Sequence, residues 1–402
     1  MLGMSPLTSG SLSSVARALA LALAVLLPVA RVSAQAAANR VVLELQPTKE
    51  FPRNSEGSFI TLKSGRILYA YTQFYGGDRD ESAARVVAIT SDDAGRTWSP
   101  KPRVLVENVG GTNVMSVSFL RLQNGRIGLF YIKKRSRIEG HPVAQFSDDE
   151  GDTWSAPQTV VKAPGYFELN NDRAIQLTGG RILLPVGSYR LKDTDASTYD
   201  SLDFRAITMW FVSDDHGSTW KEAPQWLAAP NPKTLEGLQE SGVVELKDGS
   251  LLGWFRTDQG SQFVARSRDR AESWTPAAPS ELKSPTSSAA IKRLPGSATL
   301  LAVWNDYSGA FPVPTLTVTD PALQRRMANR RTPLVVGLST DGGATWPTRR
   351  LLEGEPDGWY CYTAVHFVED AVLLAYCAGD QKVGGLNRLR MRRIDLDWIA
   401  GK

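Results

Sequence analysis

The chain is poor in the residues that metal centres and disulfide frameworks require. It has two cysteines, Cys361 and Cys377, and three histidines among 402 residues, and neither set has the spacing of a zinc site. The two cysteines flank one expected hairpin turn near Asp370. Facing each other across a strand pair, they make either a disulfide, which suits an exported protein, or two buried thiols. A strong charge of one sign is also missing. With 46 basic against 42 acidic residues the net charge is +4, too little over this length to argue for nucleic acid, and no basic tract adds to it. Helix-period patterning of any length is absent as well. The apolar run Ala18 to Ala30 is too short to cross a bilayer comfortably. It follows Arg17, is broken by Arg31 and leads into the small-residue sequence Val32-Ser33-Ala34. Residues 1–34 are therefore expected to be a signal peptide, with an N-terminal membrane anchor as the alternative. No cysteine follows directly to carry a lipid. The expectation is an exported protein, periplasmic or secreted, with residues 35–402 as one domain and no stable membrane insertion once the signal is removed.

What the chain does have is repetition. Ser91-Asp92-Asp93-Ala94-Gly95-Arg96-Thr97-Trp98 returns from Ser147 to Trp154 and from Ser213 to Trp220, in a worn copy from Ser267 to Trp274, and cleanly from Ser339 to Trp346. The pattern S-x-D-x-G-x-T-W has a mechanism: the Asp bonds nearby backbone N–H groups, the Gly takes a positive φ, and the Trp packs under a hairpin. Each copy follows a pair of apolar, β-rich segments around a tight turn. These hairpins run from Ser58 to Tyr69, Val117 to Phe130, Arg173 to Leu184 and Gly242 to Phe255, with looser versions from Ala289 to Trp304 and Thr363 to Tyr376. Third strands such as Arg85 to Thr90, Val143 to Phe146 and Leu334 to Leu338 end in the repeated turn. Six such units predict an all-β fold, a six-bladed β-propeller with Asp-box turns. The last unit lacks the box and takes Leu389 to Trp398 as its third strand. The leftover strand Arg40 to Leu45 is expected to pair into that unit and remove its edge. Two insertions, Ser188 to Phe204 and Asp306 to Asn329, read as polar loops rimming one face.

In a propeller the first strand of every blade lines the central channel, so residues at its entrance converge. Here the entrances are polar: Arg53-Asn54-Ser55-Glu56, Asn113 to Ser116, Asn170-Asn171-Asp172-Arg173, Gln239-Glu240-Ser241 and Tyr360-Cys361-Tyr362. Carboxylates, arginines and phenols gathered in one place suit an acidic sugar; taken singly, each also suits a solvated strand end. The five turns, the six units and the segment Glu240-Ser241-Gly242-Val243-Val244-Glu245-Leu246-Lys247-Asp248-Gly249-Ser250-Leu251-Leu252 resemble the sialidase (neuraminidase) superfamily of propeller glycosidases. The resemblance covers nearly all of residues 35–402.

The resemblance implies roles. Glu240 matches the family's catalytic Glu, Asp80 its acid/base, and Tyr362 its nucleophilic Tyr, with Tyr360 as the alternative. Arg256 and Arg331 match two arginines that grip the substrate carboxylate, Arg330 being the neighbour that competes for the second place. The family's R-I-P triplet is absent, which leaves the third arginine open. Arg53 is the first choice, with Glu56 beside it, and Arg173 the second, with Asn171 and Asp172. Asp80 sits in the charged run Asp78-Arg79-Asp80-Glu81, where a solvated loop carboxylate is the rival reading. The Asp-box aspartates Asp93, Asp149, Asp215, Asp269 and Asp341 are read as structural. The implied activity is retaining exo-α-sialidase-like hydrolysis of a sialylated or other acidic glycan, without metal or other cofactor. Another acidic-sugar hydrolase or lyase, or a non-catalytic carbohydrate-binding propeller, is the alternative.

Overall fold

The computed structural model describes residue 1 and residues 38–313 and 330–402. The expected signal peptide, Met1 apart, and most of the second insertion lie outside the described residues.

Strands dominate. Four sheets have four strands each, and a fifth has nine. The first sheet runs Arg53–Thr61, Ile67–Phe74, Ala84–Ser91, Arg103–Val106, all antiparallel. In the nine-stranded sheet a single parallel contact, Tyr166 beside Gly140, joins two runs. One carries Asn113–Arg121, Ile127–Lys134 and Gly140–Ser147; the other carries Ile182–Leu191 and Leu202–Ser213. Divided there, the described chain is six successive antiparallel units. The N-terminal strand Asn39–Leu45 pairs with Leu389–Asp395 and becomes the outer strand of the last sheet. That pairing protects an edge that would otherwise be exposed.

Local chemistry explains the turns. Ser91 Oγ donates to Asp93 Oδ1 at 2.8 Å and accepts from Gly95 N at 2.9 Å; Asp93 accepts from Thr97 N at 2.8 Å and Thr97 Oγ1 at 2.6 Å. The same bonds recur around Asp149, Asp215 and Asp341. The worn copy keeps them too, since Ser273 replaces the Thr and Ala271 accepts the left-handed backbone at φ 73°. Between sheets the core is aromatic, as where Trp210 and Trp274 stack at 4.2 Å.

Two expectations need correction. The strand expected from Leu389 to Trp398 stops at Asp395 and gives way to a helix over Leu396–Ala400. The insertion from Ser188 to Phe204 is not a plain loop. After a register shift its two ends continue the hairpin ladder, Arg190 opposite Asp203 and Leu191 opposite Leu202, with a 3-10 turn at Tyr199–Ser201. Alternation broken by the shift hid this extension in the sequence.

The first strands of the units meet at the centre. Arg53–Thr61 touches both Asn113–Arg121 and Trp359–Val368, while Gln239–Glu245 touches Ala290–Arg293. Asp172 ties them together. Its Oδ1 accepts from Ser58 Oγ at 2.9 Å and Lys292 Nζ at 2.8 Å, and its Oδ2 accepts from Val365 N at 2.9 Å. Lys292 also donates to Val365 O at 2.7 Å. Removing the carboxylate leaves an ammonium and two polar groups without their partner. Asp172→Ala is expected to lower the unfolding free energy by about 2–4 kcal/mol, discounted because Lys292 keeps some access to water. Denaturant titration checks this, and an unchanged midpoint would contradict the central tie.

Candidate active site

The inner strands share a backbone device. Glu56, Ser116, Asp172, Glu240 and Tyr362 all have left-handed backbones, with φ of 56°, 61°, 59°, 45° and 58°. Four of the five sit in register shifts, between Ser55 and Ser58, Met115 and Ser118, Gln239 and Gly242, and Cys361 and Ala364. A bulge of this kind inserts one residue and re-aims its side chain. The conformation costs non-glycine residues roughly 1–2 kcal/mol each, so surrounding packing must hold it. After Glu240 the packing is tight enough to require glycine, since a Cβ on Gly242 would lie 2.1 Å from the Trp254 ring.

Two of these bulges deliver Glu240 and Tyr362 to one cavity of about 370 Å³, which Asp80, Arg256 and Arg331 also line. Residues far apart in the sequence and carried by different sheets thus meet. Tyr362 donates its hydroxyl to Glu240 Oε1 at 2.9 Å. Arg256 Nη1 donates to the same oxygen, and Arg256 Nη2 donates to Glu236 Oε2 at 3.0 Å. Arg331, 8% exposed, lies with its Cζ 5.2 Å from the Tyr362 ring centroid and 5.5 Å from that of Trp359. Its Nε and Nη1, together with Arg256 Nε and Glu240 Oε2, are buried and have no hydrogen-bond partner among the described residues. Buried unsatisfied donors are expensive, so these guanidinium faces await an anion. Burial pushes the Tyr362 phenol well above its ordinary range and the Glu240 charge adds to this, against Arg331 and Arg256. The phenol is therefore neutral, with a carboxylate in contact to take its proton.

Asp80 approaches from the first sheet with its side chain 52% exposed. Its partial burial works against ionisation, but the direct Arg53 pair and Lys134 hold the carboxyl at about 2. Arg53 itself does not line the cavity. It is 1% exposed, with Nη1 on Asp80 Oδ1 at 2.6 Å, Nη2 on Glu56 Oε1 at 2.7 Å and its Cζ 4.3 Å from the Phe74 ring centroid. It reaches the cavity only through Asp80.

Several residues expected to bind substrate are elsewhere. Arg173 donates to Ser288 Oγ at 2.9 Å and to Ala289 O at 2.7 Å, beneath Trp254. Asn171 donates to Gly57 O at 2.9 Å and Tyr362 O at 3.1 Å. These two, with the central tie Asp172, stitch inner strands together and do not line the cavity. Glu56 is held behind Asp80 by Arg53 and by Ser116 Oγ at 3.0 Å. Tyr360 turns away and donates to Glu355 Oε2 at 2.6 Å, and Arg330 donates to Pro356 O at 3.4 Å. Cys361 and Cys377 are register partners, both buried as free thiols. The cavity also holds residues the sequence did not single out, including Glu168, Glu236, Tyr166, Tyr189, Tyr199 and Phe204. The aromatic content of the insertion was the available signal, masked by its many polar neighbours. Burial, with the Glu240 charge added, pushes Glu168 up to about 7 against the Tyr189 hydrogen bond, Arg256 and Lys134.

The pairing of Arg53 with two acids gives a test. Arg53→Leu is expected to lower the unfolding free energy by about 3–5 kcal/mol, because buried Glu56 loses its counter-ion. It is also expected to return Asp80 towards the usual carboxylate value of about 4. Denaturation and carboxyl-carbon NMR titration read the two effects. An unchanged stability with weakened ligand binding would instead place Arg53 in contact with ligand.

Residues 71–374 match the BNR repeat-like domain family. A protein of Paraclostridium sordellii named sialidase is 27% identical over 242 residues, which are 54% of this chain and 56% of that protein. A sialidase of Micromonospora viridifaciens is 24% identical over 380 residues, 87% of this chain and 53% of that protein. The chain thus spans about half the length of these relatives. Among solved structures, the leech intramolecular trans-sialidase superposes with a TM-score of 0.65 at 14% identity, over 90% of this chain and 71% of that one. At that identity the likeness is one of fold. The family match over three quarters of the sequence carries more, and the chain belongs to the sialidase/BNR-repeat superfamily.

Proposed function

We propose that this chain is an exo-α-sialidase-like retaining glycoside hydrolase that releases a terminal sialic acid from a glycan. The observation that carries the reading is the Tyr362–Glu240 hydrogen bond set beside two guanidinium groups with unused donors. The architecture proposed with it is a six-bladed propeller with Asp-box turns, a reading supported by the successive antiparallel sheets and by the pairing of Asn39–Leu45 with Leu389–Asp395. Residues 35–402 are the mature domain. The names of the relatives support the substrate class.

A sialic acid carries its carboxylate on the anomeric carbon, and Arg256 and Arg331 hold it through their free N–H groups. A carboxylate nucleophile would be repelled by that group, whereas a neutral phenol is not. Tyr362 Oη attacks the anomeric carbon and its proton passes to Glu240 Oε1, already its acceptor. Asp80 protonates the departing glycosidic oxygen. In the free protein Arg53 keeps Asp80 ionised; the arriving substrate carboxylate adds the negative charge that raises its proton affinity, and Asp80 takes up a proton from solvent as substrate binds, before donating it. Asp80 then takes a proton from water, water attacks the same carbon, and Tyr362 leaves with the proton returned from Glu240. Two displacements at one carbon give retention.

A second reading keeps its place because Arg53 is engaged by Asp80 and Glu56 and does not line the cavity, which leaves two arginines where the family pattern expects three. A different acidic sugar that needs only two contacts fits that count. Release of a fluorescent aglycone from sialosides, with uronides in parallel, separates the readings. Tyr362→Phe and Glu240→Gln are each expected to lower kcat by about three orders of magnitude or more. Wild-type rates in both variants would remove the mechanism. Export with cleavage after Ala34 is tested by N-terminal sequencing of the secreted protein, with Gln35 as the expected first residue.

A further inference from the structure

Glu168 has no part in the displacement just described, yet it occupies the same cavity. It ends the strand Tyr166–Glu168, which pairs antiparallel with Ile182–Leu191, setting Tyr166 opposite Tyr189 and Glu168 opposite Gly187. Opposite residues share a face. Gly187 puts no side chain between them, a Cβ there lying 3.5 Å from the Tyr189 ring and 3.9 Å from Glu168 Cβ, and Tyr189, on the same face, reaches across to donate its hydroxyl to Glu168 Oε2. Tyr166 braces Tyr189 edge-on, with ring centroids 5.5 Å apart. Glu168 Oε1 accepts from no donor among the described residues. An incompletely used carboxyl, fixed by a tyrosine and facing a sugar-sized cavity, is built to accept a hydrogen bond. Burial and the nearby Glu240 charge raise its proton affinity.

Resting on the sialidase-like reading, we infer that Glu168, positioned by Tyr189, selects the sugar by accepting a hydrogen bond from one of its hydroxyls while Arg256 and Arg331 hold the carboxylate. The two ends of the cavity then read opposite features: donors at the guanidinium end meet an anion, and an acceptor at the Glu168 end meets an O–H. Glu168 does not replace Glu240 as base, since the Tyr362 hydroxyl is bonded to Glu240. A sugar that lacks the hydroxyl strands a desolvated carboxyl, the condition under which polar pockets discriminate most strongly.

The test uses the full chain with 4-methylumbelliferyl N-acetylneuraminoside and its mono-O-methyl ethers. Assayed at about pH 8, where a carboxyl pushed up to about 7 is mostly ionised, Glu168→Leu is expected to raise KM for the parent substrate about tenfold to a hundredfold, the range for losing a hydrogen bond to a charged group, with kcat within about threefold. Glu168→Gln, which keeps a carbonyl acceptor and the shape, is expected to restore most of the loss. Tyr189→Phe is expected to raise KM by a smaller factor. One methyl ether is expected to be disfavoured about tenfold by the wild type and not by Glu168→Leu. Unchanged KM in both Glu168 variants, kcat loss at constant KM, or no ether distinguished by the wild type each overturns the inference. If the wild type hydrolyses no sialoside, the functional reading falls and takes this inference with it. An active wild type with an indifferent Glu168 overturns the inference alone.

Discussion

One buried carboxylate holds the centre of this protein. Asp172 accepts hydrogen bonds from a hydroxyl of the first sheet, the Lys292 ammonium and the Val365 backbone N–H, so three strands, each more than a hundred residues from it in the chain, are fixed to one group. A buried carboxylate without partners is very unfavourable, which makes the arrangement specific as well as stable. Arg173 and Asn171 on either side extend the same stitching to Ala289 and Gly57. The cavity inherits its geometry from this axle, because the strands it ties are those that carry Glu240 and Tyr362 or lie beside them.

The cavity is held in a strained backbone. A left-handed residue in four inner strands, and a fifth, Asp172, in the turn before Ile175–Gln176, puts side chains where ordinary alternation would not. In two cases the outcome is chemistry, Glu240 and Tyr362 in contact. In Asp172 it is the axle, and in Glu56 and Ser116 it is the support behind Asp80. The same local device thus serves both scaffold and site, and what differs is the set of partners brought by other sheets.

Charge is distributed with the same economy. Arg53 is fully engaged by Asp80 and Glu56, whereas Arg331 and Arg256 keep buried donors unused. The first arrangement sets the protonation of a carboxyl; the second prepares a place for an anion. Superfamily membership is compatible with both, but the orientation of Arg53 is a property of this chain. Arg53 pairs with these two acids at the place where the sequence lacks the expected triplet.

The strands, the repeated turns and the pairing of the N-terminal strand were legible in the sequence because each rests on short-range chemistry: alternation, a Ser-Asp-Thr hydrogen-bond set, a glycine at positive φ. Glu240, Arg256, Arg331, Tyr362 and Asp80 were also named there, through their resemblance to a family pattern. The polar strand entrances could not be sorted further. Asn170-Asn171-Asp172-Arg173 and Gln239-Glu240-Ser241 look alike as sequences, and both contain a left-handed residue. Only the folded chain turns the first inward onto Ser58, Lys292 and Val365, and opens the second onto the cavity. Glu168 was invisible for a related reason, since its environment comes from Tyr189 on the next strand, from the close approach that Gly187 allows between them, and from Glu240. Local sequence determined which segments extend and where they turn. The tertiary structure decided which polar groups are satisfied and which are left free, because a side chain's partners come from strands that the sequence keeps far apart.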